Sequence, residues 1–162
     1  MDCFALVGIE NGWFKALFYS FDKSILLWGT DVGQYDVGKE LIRAICSICS
    51  NKTEKENICF NEEDKAYILT IKRINNNFVI SICELFEPPF HYIGKCGLQL
   101  EHIKKGQIVF ETDGQLKELA QNILLEFSKY NHKDFLKLYE SNWFPFPTLE
   151  LDELQKVIKK LE

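Results

Sequence analysis

Alternating apolar and polar positions open the chain. WFKALFYSF, Trp13 to Phe21, alternates as a strand, with Trp13, Leu17, Tyr19 and Phe21 on one face. The ENG before it reads as a turn, which makes residues 3–9 its hairpin partner. SILLWG follows a turn at Asp22 and Lys23 as a third short strand, so an antiparallel meander is predicted. The period then changes. Val37, Leu41, Ala44, Ile45 and Ile48 fall on one helical stripe, with Asp36 placed as N-cap and Glu40 in the first turn, where the helix dipole favours an acid. That helix fades at Ser50 and Asn51, and the polar NKTEKEN reads as a loop.

The second half repeats the contrast. KAYILTIKRI and FVISICELF flank Asn75 to Asn77, and asparagine tolerates the positive φ that a tight hairpin turn requires. Strands near 66–74 and 78–86 are therefore expected to pair. They place Tyr67, Leu69 and Ile71 on one face, and Phe78, Ile80 and Ile82 on one face of the partner. Pro88 and Pro89 end the sheet there, since proline cannot donate to a ladder. Residues 90–106 read as irregular apart from a short strand around GLQLEHI, and Gln107 to Thr112 read as the last strand.

Thr112 or Asp113 is then expected to cap a helix over about 113–130, with Leu116, Leu119, Ala120, Ile123, Leu124 and Phe127 inward. A shorter helix around KDFLKLYES and an extended NWFPFPT connector follow. Thr148 is expected to cap a terminal helix carrying Leu151, Leu154, Val157, Ile158 and Leu161. Strands, helix, strands, helices in that order predict an α+β fold: a mainly antiparallel sheet with helices packed on one face, one domain over residues 1–162.

Composition agrees with a packed core. In 162 residues, 46% are hydrophobic and 14% aromatic, which no disordered chain carries. A chain of this length buries roughly 70% of its unfolded surface without a metal or disulfide staple. The net charge of -5 excludes a general nucleic-acid binder, which needs a basic stripe to displace counterions. MDCFALVGIE lacks the basic start and cleavage site of a signal peptide, and no apolar run is long enough to span a bilayer. A cytoplasmic chain with six reduced thiols and no contact with membrane or nucleic acid is expected.

Candidate chemistry is thin. GTDVGQYDVG has the glycines of a phosphate loop, but Lys39 is followed by Glu40 rather than Ser or Thr, and Asp31 and Asp36 would repel a phosphate. It reads as a strand-to-helix turn. Cys46 and Cys49 have metal-site spacing, yet no second tight pair completes a zinc site. They also lie at the C-terminal end of their helix, where the dipole opposes a thiolate. They read as core spacers. His91, His102 and His132 show no metal-ligand spacing, and a dyad of Cys96 with one of them has no local support. Neither cofactor nor metal is expected. Two features point outward instead: the acidic run Glu62, Glu63, Asp64, which as a solvated turn needs no function, and Trp143 in the aromatic connector, which either covers the core or anchors a partner.

GWFKALFY, LLWGTDVGQYDVGKEL and RINNNFVISICEL together resemble bacterial immunity proteins of contact-dependent growth inhibition and other polymorphic toxin systems. The resemblance implies a non-enzymatic inhibitor that binds a cognate toxin domain, such as a basic nuclease. It assigns no residue by position. On charge alone, Asp31, Asp36, Glu62, Glu63 and Asp64 are the expected contacts, with Trp143 as an apolar anchor. The alternatives are a small cytosolic enzyme with an unrecognised Cys/His or carboxylate site, or a generic adaptor.

Overall fold

The computed structural model describes residues 3–32, 34–85 and 105–161. β1 (Phe4–Glu10), β2 (Trp13–Tyr19) and β3 (Ser24–Thr30) form the expected antiparallel meander. Asn11 and Gly12 join β1 to β2 with φ of 50° and 79°, the left-handed pair that a two-residue hairpin needs. Phe14, Ala16 and Phe18 point inward and are fully buried. Trp13, Leu17 and Tyr19 do share a face, but it is the outer one; Phe21 lies beyond the strand and is 97% exposed.

α1 (Val37–Cys49) starts at Asp36, whose carboxylate accepts the Lys39 backbone N–H at 3.1 Å. The predicted stripe Val37, Leu41, Ala44, Ile45 and Ile48 is buried throughout. Two glycines of the flanking stretch are spacers. A Cβ on Gly29 would meet Val37 at 2.6 Å, and one on Gly38 would meet the Phe14 ring at 2.7 Å. The glycines let the helix start press against the sheet.

β4 (Lys55–Asn61), β5 (Ala66–Ile74), β6 (Asn77–Leu85) and β7 (Lys105–Gln115) form a second antiparallel sheet in that order. β4 corrects the loop reading of NKTEKEN. Its polar start, Lys55 to Asn57, pairs with Lys72 to Thr70 through the backbone, which periodicity does not register, while Ile58, Cys59 and Phe60 behind it are buried. The hairpin turn is Asn75–Asn76, with Asn75 at φ 58° and Asn77 already paired to Ile74. The short strand expected around GLQLEHI lies outside the described residues.

β7 is longer than expected. Thr112 pairs with Ile80 and Asp113 with Val79, so neither caps a helix. α2 (Leu116–Ser128) leaves the strand directly, with no side-chain cap at Gln115. Its first N–H, from Leu116, donates to the Asn76 carbonyl at 2.9 Å, so the hairpin turn takes one of the donors that a helix start leaves open. α3 (Lys133–Asn142) buries only Tyr139. α4 (Thr148–Ile158) buries Leu151, Leu154, Val157 and Ile158; Pro147 occupies the cap position given to Thr148, which instead begins the helix.

Helices α1 and α2 pack against strands of both sheets, and α4 packs on α1 and α2, around one core. Phe127 of α2 lies 6.4 Å from Phe4 and 6.0 Å from Phe14, ring to ring, and Phe18 meets Phe60 of the second sheet at 6.1 Å. The free edge of β1 is sealed by side chains. Asn122 Oδ1 accepts the backbone N–H groups of Cys3 and Phe4 at 3.0 and 2.9 Å, and Glu126 Oε2 accepts that of Leu6 at 3.0 Å. Both polar residues are buried on an otherwise apolar helix face, where each needs such partners.

Candidate functional site

The thiols come first because they carry the sharpest chemical alternative. Cys46 and Cys49 sit in the last turn of α1, buried, and burial pushes both thiols up to about 12. Cys59 is pushed to about 12 by the same desolvation. A raised thiol is a weak nucleophile at neutral pH, since the thiolate is the reactive form. Among the described residues no cluster of three or more His, Cys, Asp or Glu could hold a metal ion. His132 is exposed ahead of α3; Cys96, His91 and His102 lie outside the described residues. No described helix is long and apolar enough to cross a membrane.

The expected contact residues divide into two groups. Asp36 is half-buried and Trp143 buried. The indole of Trp143 donates to the same Asp36 oxygen that caps α1, at 2.9 Å, and its ring packs on Phe14 and Phe144 with centroids 5.7 and 5.0 Å away. Trp143 is only 9% exposed, and it ties the aromatic connector to the start of α1. Burial raises the Asp36 carboxyl above its ordinary value, with the Lys39 N–H and the indole opposing. A raised carboxyl gives stability that is present in acid and lost as pH rises through the raised value. Asp36→Asn keeps an acceptor and removes the titration. As pH rises above the ordinary carboxyl range, wild type is therefore expected to lose stability relative to the variant, read from thermal melts. Asp36→Leu should instead cost roughly 2–3 kcal/mol by orphaning both donors.

Asp31, Glu62, Glu63 and Asp64 form the second group, and the fold brings them together. Glu62 Oε1 accepts the Trp28 backbone N–H of β3 at 3.1 Å, and Glu63 Oε1 accepts the Thr30 hydroxyl at 3.2 Å. The acidic run is thus more than a solvated turn, since it fastens the β4–β5 turn of one sheet to β3 of the other. Glu63 adopts φ 70°, a left-handed residue closing that turn, and Asn61 Oδ1 accepts its N–H at 2.9 Å. Glu62 is raised above the ordinary carboxyl value, first by desolvation, then by neighbouring Asp64 and Glu84, against the Trp28 N–H and Lys65. Asp31 follows Thr30 directly, and its N–H donates to the Gly12 carbonyl at 2.9 Å. Gly12 is required there: a Cβ would lie 2.7 Å from the Asp31 carboxylate. Asp31, Glu63 and Asp64 are exposed.

Beside this border lies the outer face of β1–β3, which sequence reasoning did not single out. Trp13 and Trp28 meet edge to face, 5.7 Å apart at 75°. The Lys15 ammonium sits 4.3 Å over the Trp28 ring and pairs with Glu10. Leu17 and Leu26 extend the face, Leu26 being 40% exposed. The available signal was the alternation itself. Trp13, Lys15 and Leu17 share one parity in β2, and Leu26 and Trp28 share the matching parity in β3.

No protein-family model matches the chain, and no curated protein sequence matches it. Among solved structures it is similar to the CdiA-CT/CdiI toxin and immunity complex from Enterobacter cloacae. The identity is 12% and the TM-score 0.47, over 81% of this chain and 99% of that one.

Proposed function

We propose that this chain is an immunity protein: it binds a cognate bacterial toxin domain in the cytoplasm and neutralises it by occupying a surface, without catalysis. The observation that carries this reading is the convergence of Asp31, Glu62, Glu63 and Asp64 on one border, from two separate sheets. A toxin that attacks nucleic acid must itself be basic to grip a polyanion. An acidic border speeds encounter with such a domain and stands where phosphates would lie. Asp31 and Asp64 are the cleanest contacts, because Glu62 and Glu63 also hold the sheets together.

The test is binding kinetics, at two ionic strengths, against the toxin domain encoded by the neighbouring gene. Asp31→Lys with Asp64→Lys is expected to slow association about tenfold at low salt and flatten its salt dependence, with melting unchanged. If the neighbouring product does not bind wild type, the immunity reading falls. An unchanged on-rate in the double variant would move the interface elsewhere.

A further inference from the structure

We propose that the Trp28 ring, on the outer face of the first sheet, is the seat for an arginine side chain of the basic toxin, with Lys15 holding that seat in the free protein. The inference rests on the immunity reading and deepens it. Cross-strand pairing puts Lys15 opposite Trp28, Trp13 opposite Thr30 and Leu17 opposite Leu26, so these side chains share one face. The face has an aromatic and aliphatic centre and a charged margin formed by Glu10, Asp31 and the Glu62–Asp64 turn, the arrangement of an interface core inside a polar rim. Trp28 already binds a cation, as the Lys15 ammonium at 4.3 Å shows. Tryptophan is the best ring for that contact, and a planar guanidinium stacks on it better than an ammonium does.

Lys15 has a second partner in Glu10, which is itself exposed, so its flexible side chain can keep one ion pair while it yields the ring. Charge selects the occupant. The acidic margin repels nucleic acid and anionic lipid, and attracts an arginine-bearing protein surface. Lys15 is the cation seated over the Trp28 ring, and Lys65 lies near Glu62 on the margin. Moving Lys15 off the ring opens the seat to the guanidinium.

The experiment titrates the full chain with an arginine hexapeptide at low ionic strength and reads tryptophan emission, with a glutamate hexapeptide as control. A saturable change with the arginine peptide alone is expected. Trp28→Leu should weaken binding about tenfold. Lys15→Ala should tighten it about threefold more than Lys23→Ala, which removes the same charge from the β2–β3 turn. Leu26→Arg, at an exposed position on the same face, should also weaken binding about tenfold and serves if Trp28→Leu does not fold. Equal affinity of wild type and Leu26→Arg, or equal effects of Lys15→Ala and Lys23→Ala, would overturn the proposal. The toxin domain separates the two levels. If it fails to bind wild type while the hexapeptide results hold, only the immunity reading is lost. If it binds wild type, Trp28→Leu and Leu26→Arg alike, only the assignment of this face is lost.

Discussion

Aspartate in place of Leu119 or Ile123 is expected to abolish cooperative unfolding at room temperature. Both side chains are completely buried, on the face of α2 that meets β1 and α4. A carboxylate there has no partner and must either remain charged in an apolar core or take up a proton at a cost. Either way several kcal/mol are lost, with the packing of the removed side chain in addition. Domains of this size hold only about 5–15 kcal/mol in total. Circular dichroism melts should show no transition, or one lowered by tens of degrees. Leu125→Asp is the matched control: the same helix, a residue 59% exposed, and an expected change within about 0.5 kcal/mol. A normal melt for Ile123→Asp would mean that α2 does not pack as described.

The second large effect concerns a single amide. Asn122→Leu preserves side-chain size and removes the oxygen that accepts from both Cys3 and Phe4. Both backbone donors then lose this acceptor, at about 1–3 kcal/mol each. The expected loss of roughly 2–5 kcal/mol should appear as a lower denaturation midpoint. It should also appear as faster hydrogen exchange at Cys3 and Phe4, which a general packing defect would not concentrate there. Glu126→Gln keeps an acceptor for Leu6 and should cost much less, apart from the ion pair with Lys129.

Elements with strong periodicity or a decisive turn were legible in the sequence. The stripe from Val37 to Ile48, the hairpin around Asn75 and the stripe from Leu116 to Phe127 all have local causes, and all were found. β4 was not, because its first residues are polar and its pairing with β5 is made by backbone groups that carry no compositional mark. The caps at Thr112 and Asp113 failed for a related reason: Leu116 finds its acceptor in the distant Asn76 carbonyl, so no local cap is needed there, while at α4 Pro147 takes the cap position and the Thr148 N–H donates to the Phe146 carbonyl. For the site, the charges were visible but their duties were not. The capping role of Asp36 was legible and core cover was one of two readings for Trp143, but the hydrogen bond that joins them was not. Glu62 and Glu63 look solvated until β3 arrives beside them. The aromatic face could have been read from parity, since Trp13 and Trp28 fall on the same side once the β2–β3 register is known.

The sealing of β1 also sets an order of events during synthesis. The residues that close its edge stand 118 to 120 positions downstream of the groups they bind. While the chain is still emerging from the ribosome, the meander can form, but one side of β1 stays open to any other extended segment. Such an edge invites pairing between neighbouring nascent chains. It also makes closure a late, long-range step, which slows folding more than it limits final stability. β1 is thus made long before the residues that secure it, and α2 serves that strand as a stopper as much as it serves the core as a wall.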